Sequence, residues 1–219
     1  MSILQLLDQY GERYLLALLT TWRLTAVSFI VAFAAGIFVT VLRISPIRLL
    51  RGTANIYIQL FRNIPGVALL IVLVYALPYL DIVFSYTTCV LIATSLIPSA
   101  FCSEYLITGI NTIKPGQIEA ARALGFPFFK IIRHIILPQA LRASVLPLTN
   151  LLIATMLTTA IASQVTMNPQ DLTGIVDYIN THDTGGIAAF VISALLYCAT
   201  AIVIGQVGNA IDKKVRIIR

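Results

Sequence analysis

Charge is what this 219-residue sequence has least of: only 11% of its residues are Asp, Glu, Lys or Arg. A soluble domain carries about 25%. With 58% hydrophobic residues and a mean hydropathy of +0.91, the chain cannot build a polar surface all round and is an integral membrane protein. Histidine occurs twice and cysteine three times. Cys89, Cys102 and Cys198 lie within or at the ends of apolar runs, with no CxxC or Cys/His clustering. That spacing argues against a metal site or a disulfide framework and leaves them as small buried apolar residues. There is no GxxxxGK[ST] phosphate loop, no H-E-x-x-H helix, no pair of intramembrane acids and no Ser/His pair. Their absence excludes a nucleotide-hydrolysing chain and a membrane-embedded enzyme.

Long apolar runs are abundant. Charge-free stretches fall at 24–42, 63–80, 82–103, 143–170 and 184–211. Each reaches or nearly reaches the roughly 20 residues needed to cross a hydrocarbon core of about 30 Å. We expect five transmembrane helices, at about 22–43, 63–80, 82–108, 143–167 and 186–211, in one all-α domain, 1–219. Residues 1–22 lack the basic n-region and cleavage pattern of a secretory signal and read as an interfacial lead-in.

Thirteen of the fifteen Lys and Arg residues fall on one side of these spans: Arg43, Arg48, Arg51 and Arg62; Lys114, Arg122, Lys130, Arg133 and Arg142; Lys213, Lys214, Arg216 and Arg219. The other side carries Arg13 and Arg23 with Asp8, Glu12, Asp81, Asp171, Asp177 and Asp183. Basic residues are retained in the cytoplasm during insertion, so the expected orientation is N-terminus out and C-terminus in. Topology then accounts for the net charge of +6, and nucleic-acid binding is not implied.

The largest polar insert, 112–140, lies between the third and fourth spans. Pro115 suits a helix start, QIEAARAL is rich in helix formers, and Gly125 can end the helix in a left-handed conformation. Pro127 suits the start of a second helix. There Phe128, Phe129, Ile131, Ile132, Ile135 and Ile136 recur at helical spacing opposite Lys130, Arg133 and His134, and Pro138 marks the way into span four. The expectation is a helix-turn-helix bracket with its apex at Gly125 and Phe126. On amphipathicity alone, a membrane-hugging helix with a solvated Glu119/Arg122 pair is the favoured reading.

The order EAA at 119–121, Gly125, then ILP at 136–138 resembles the EAA loop of ABC-importer permeases. Residues 100–150, and LRISPIRLLRGTANIYIQLFRNIP at 42–65, resemble the polar-amino-acid uptake permeases of the histidine, glutamine and glutamate family. Two features depart from that pattern. Leu157, Thr158, Thr159 and Ala160 stand where the family commonly has a Lys-Asp/Asn-Thr-Ser element, and Ile107 stands where an Arg usually follows Glu104. Both leave the substrate class open, and a permease for compatible solutes such as betaine or choline is the nearest rival.

The resemblance implies a type I ABC-importer permease fold with no cofactor of its own, ATP and Mg being bound by a partner ATPase subunit. It further implies that the 119–127 segment is a coupling helix, with Glu119 an anionic contact, Ala120 and Ala121 permitting close approach, Gly125 the turn and Phe126 at the apex. The other implied partners are a second permease, identical or homologous, and an extracytoplasmic solute-binding protein facing the acidic outer loops, in a bacterial cytoplasmic membrane.

From the residues themselves, Thr155, Thr159 and Ser163 share a face of span four, with Asn150, Thr158 and Gln164 nearby. This hydroxyl stripe is a candidate solute path, or equally a set of helix contacts and bonds to the helix's own carbonyls. Arg62 and Glu104, near span ends, are a candidate gate or ion pair. A secondary carrier is disfavoured by the lack of inverted repeats, broken helices and a midplane ionisable group.

Overall fold

The computed structural model describes residues 3–215, so Arg216 and Arg219 of the C-terminal basic group lie outside the described residues. Helix α1 runs Ile3–Arg43 without a break. At 41 residues it is about 60 Å long, twice a hydrocarbon core. Among the described residues, the expected lead-in and the first apolar run form one continuous helix. No proline occurs before Pro46, and Leu6, Tyr10, Tyr14 and Ala17 bury themselves against Leu172, Ile175, Ile179 and Ala189. That packing draws the first turns into the same helix.

Helix α2, Arg48–Asn63, meets α3, Gly66–Leu80, at 100°. Ile64 and Pro65 are both extended there, because a proline disfavours helical geometry in the residue before it. The second apolar run therefore enters a new helix at Gly66. Buried Ala54 and Ile58 of α2 pack on Val39 and Ala100, so α2 lies across one end of α1 and of α4, Tyr86–Ile110. The insert forms α5, Pro115–Ala123, and α6, residues 128–143. The remaining helices are α7, Val145–Gln164, α8, Gly174–His182, and α9, Gly186–Val215. Helices α1, α4, α7 and α9 are long and apolar enough to span a membrane alone, and the bent α2/α3 pair makes five if it is taken as one broken span.

Two helices contain π turns, contrary to the regular helices expected. Val72–Ala76 in α3 and Ile132–Ile136 in α6 both stand immediately before a Leu-Pro step, Leu77-Pro78 and Leu137-Pro138. In each, the leucine amide donates to the carbonyl five residues back. The wider turn makes room for a ring that would otherwise strike the preceding turn. Pro138 thus sits within a helix that continues to Ala143, and the change into span four comes at Ser144. Absence of irregular helices is no argument against a secondary carrier.

The core seam is α1 against α4, built from small residues that let the backbones close up. A Cβ on Gly36 would come within 2.6 Å of Cys102 and 3.0 Å of the Ser99 carbonyl. Ser28 and Thr94 share a hydrogen bond of 2.7 Å, and Thr40 Oγ1 donates to Ser103 Oγ at 3.0 Å. Cys89 and Cys102 are buried as expected, whereas Cys198 is exposed on α9.

The far end of the bundle is closed by α8. Buried Asp171 accepts from the amides of Thr173 and Gly174, at 3.3 and 2.9 Å, and from Tyr197 Oη at 3.3 Å. The adjacent Leu172 amide donates to Thr21 Oγ1 at 3.1 Å. Burial pushes the Asp171 carboxyl above its ordinary range, and these donors only partly offset it. Asp171 is 1% exposed, so it ties the loop to α1 and α9 and offers no surface to a binding protein, unlike exposed Asp81 and Asp177.

Candidate coupling bracket and polar path

Pro115 is the first residue of α5, where its missing N–H costs nothing. Gly125 has φ of +75°, the left-handed conformation in which a Cβ is strained. Its amide donates to the Arg122 carbonyl at 2.9 Å, and the Phe126 amide donates to the Ala121 carbonyl at 3.1 Å. This pair of bonds is a Schellman motif, completed by apolar packing of Phe126 near Ala121. Gln139 Nε2 donates to Gln117 Oε1 at 2.7 Å and ties the two arms together.

The bracket is also fixed to span three. Ser144 Oγ donates to the Tyr105 carbonyl at 2.9 Å. A Cβ on Gly109 would lie 2.4 Å from Ser144 Oγ and 2.6 Å from the Ala140 carbonyl. Only glycine fits that approach. Ile113, Ile131, Ile132 and Ile136 form the bracket's own core, shared with Val41 and Ile44 from the end of α1. The bracket is therefore packed against the ends of α1 and α4.

Not all residues expected at the tip are there. Ala121 is 4% exposed and belongs to the bracket core, because it lies on the face of α5 that meets Ile131 and Ile132. Its small side chain permits close approach within the bracket, not toward a partner. Phe126 is half-buried beneath Lys130, whose Nζ stands 4.9 Å from its ring. Glu119, Ala120 and Gly125 are exposed. Leu124, 75% exposed, and Phe129, 72% exposed, join them. Phe129 stands apart from the buried Ile131, Ile132 and Ile136 with which its spacing grouped it, at the start of α6 where the bracket core ends.

Near the bracket end, Glu104 Oε1 accepts from Arg62 at 3.1 Å and pairs with Arg43 Nη2 at 3.3 Å. Arg62 also stands 5.4 Å from the Phe101 ring. Arg43 donates through Nε to Asn55 at 3.3 Å, while its Nη1 is buried without a hydrogen-bond partner. Sequence spacing singled out Arg62 and Glu104 but missed Arg43. Its place closing the first apolar run, at the same end as Glu104, was the available signal.

In span four, Thr155 and Thr159 are fully buried and donate to the Leu151 and Met156 carbonyls at 2.8 and 2.6 Å. Thr158 and Ser163 donate to the Ala154 and Ala160 carbonyls at 2.7 and 2.9 Å. Asn150 and Gln164 are exposed. Beyond Thr158 the helix tightens to a 3₁₀ turn, Thr159–Gln164, and buried and open members of the six fall on both sides of that change. Ser163 and Gln164 line an open cavity of about 450 Å³ with Tyr75, Tyr86 and Asp177.

Residues 32–217 match the family model of the binding-protein-dependent transport system inner membrane component. The chain belongs to that family. It is 31% identical over 191 residues to a probable amino-acid ABC transporter permease, YckA of Bacillus subtilis, covering 86% of this chain and 84% of the relative. It is 36% identical over 166 residues to the glutamate transport system permease GluC of Corynebacterium efficiens, covering 70% of this chain and 72% of the relative. Among solved structures, an amino acid ABC transporter with histidines superposes with a TM-score of 0.88 at 24% identity, covering 98% of this chain and 99% of that one. The MetNI methionine transporter in an inward-facing form gives 0.81 at 21% identity, covering 99% and 100%. The fold is that of an ABC-importer permease, and the chain is a transport component rather than an enzyme.

Proposed function

We propose that this chain is the permease subunit of an ATP-driven importer for polar amino acids, oriented N-terminus out and C-terminus in within a bacterial cytoplasmic membrane. The observation that carries the reading is the bracket. It is a Schellman-capped elbow, locked to span three, whose tip exposes Glu119, Ala120, Leu124, Gly125 and Phe129 on a chain with no phosphate loop. The tip seats in a separate cytoplasmic ATPase subunit that binds ATP and Mg. Ala121 and Phe126 hold the elbow's shape from within, so closure of two ATPase subunits moves the ends of α1, α4 and α7 together. One permease supplies half of a pathway, and a second copy or a homologue supplies the other half.

The solute class follows from relatives named for amino acids, glutamate and glutamine. Solute delivered by an extracytoplasmic binding protein enters past exposed Asp177 and Gln164 and descends along span four by Thr158 and Asn150. Thr155, Thr159 and Ser163 brace that path through bonds to their own helix. Arg62 and Glu104 stand at the bracket end of α2 and α4 as its candidate gate.

The test is purification of the tagged chain from its native membrane in mild detergent, with mass spectrometry, followed by uptake of labelled solutes. A near-stoichiometric ATPase subunit and ATP-dependent uptake of glutamine or glutamate are expected. A chain that emerges alone under several mild conditions contradicts the importer reading, and uptake confined to betaine or choline contradicts the amino-acid assignment.

A further inference from the structure

Between the end of α1 and the bracket lies a cavity of about 410 Å³ that the transport reading does not use. Arg43, Arg51 and Arg122 line it, together with Ser45, Phe126 and Phe128, and no carboxylate is among its lining residues. These arginines come from three separate elements: the end of α1, the start of α2 and the coupling helix. Arg51 Nη1 donates to the Ser45 carbonyl at 2.7 Å, which holds its guanidinium in place beside the elbow. Glu104, the acid paired with Arg43, is shared with Arg62, so the group remains net cationic.

Arg43 Nη1 is buried without a hydrogen-bond partner, while Arg43 and Arg51 as a whole are half-buried and Arg122 is exposed. Three guanidiniums with fork-shaped donors suit a tetrahedral oxyanion, which can accept from more than one of them. We infer that this hollow binds a phosphate-class oxyanion, which bridges the elbow to the coupling helix. The apolar walls at Phe126 and Phe128 suit an amphiphile, and exposed Leu49, Ile56 and Leu60 on α2 place apolar surface at the same end of the bundle. The phosphodiester of an anionic lipid therefore fits the lining better than free phosphate does.

The test uses the purified permease with whatever subunits accompany it, comparing wild type with Arg51→Gln and, separately, Arg122→Gln. Native mass spectrometry reads retention of phosphatidylglycerol against phosphatidylcholine, and thermal unfolding reads inorganic phosphate. We expect phosphatidylglycerol retention to fall about tenfold in either variant, as for loss of one charge-assisted contact. Stabilisation by inorganic phosphate that either variant abolishes supports the oxyanion site with a soluble source. Binding of both probes unchanged in both monodisperse variants overturns the inference. So does loss of the ATPase subunit with lipid retention intact, since the arginines would then serve a protein contact. If Arg51→Gln fails to fold, Arg122→Gln decides alone.

Discussion

Arg62 and Glu104 meet at 3.1 Å across the crossing of α2 and α4, and Arg43 reaches the same carboxylate oxygen from the end of α1. One acid thus joins three elements. Glu104→Gln leaves two guanidiniums facing each other with their shared anion gone. Because all three side chains keep some contact with solvent, the cost is about 1–2 kcal/mol rather than that of a fully buried pair. We expect a lower midpoint of thermal unfolding in detergent and partial recovery when Arg62→Gln is added, since the second change removes the repulsion.

Gly109 is held within contact of two groups on the bracket. Gly109→Ala places a methyl group against both Ser144 Oγ and the Ala140 carbonyl. A backbone carbonyl cannot turn aside as a side chain can, so Ser144→Ala does not rescue the variant. The expected loss is about 1–3 kcal/mol, with the bracket displaced from span three. Proteolytic cleavage within 112–127 should speed up relative to wild type. Equal rates would show that the seam between Gly109 and Ala140 does not hold the bracket.

Asp171 carries a pH dependence whose sign follows from its burial. An acid whose carboxyl is pushed up when folded holds its proton more tightly folded than unfolded. Its contribution to stability is therefore full below the ordinary carboxyl range, about pH 4, and declines as pH rises toward the raised value. Asp171→Asn keeps an acceptor for the Thr173 and Gly174 amides without the ionisation, so its stability should vary less between pH 4 and 7. Asp171→Ala should be the least stable of the three proteins in thermal unfolding.

Span four separates bracing from lining residues. Thr159→Val removes a hydroxyl bonded to its own helix and should leave the uptake KM unchanged. Gln164→Ala removes an amide at the mouth of the outer cavity and should raise KM about threefold or more. The reverse pattern would move the solute path onto the buried face.

Much of this architecture is legible in the residues. Apolar run length anticipated the four long apolar helices, Gly125 located the turn, and Pro115 and Pro127 located the starts of both bracket arms. Contacts between distant elements were not legible. Asp171 reads as an exposed outer-loop acid until α9 brings Tyr197 to it. Ala121 reads as a partner contact until α6 packs over it. Arg43 reads only as one of the basic residues on one side of the spans until Arg62 of α2 and Arg43 are seen to share Glu104. The 100° bend at Ile64 and Pro65 explains that last failure, because a charge-free run does not reveal that its first turn lies across the bundle.

The central claim is that an ATPase subunit drives this permease through the exposed tip of the bracket. Leu124→Asp tests it most directly, since the side chain is 75% exposed and bears no load in the bracket core. In the reconstituted transporter the account predicts a correctly inserted, monodisperse permease that no longer retains the ATPase subunit and shows no ATP-dependent uptake. Wild-type retention and uptake by that variant would contradict it.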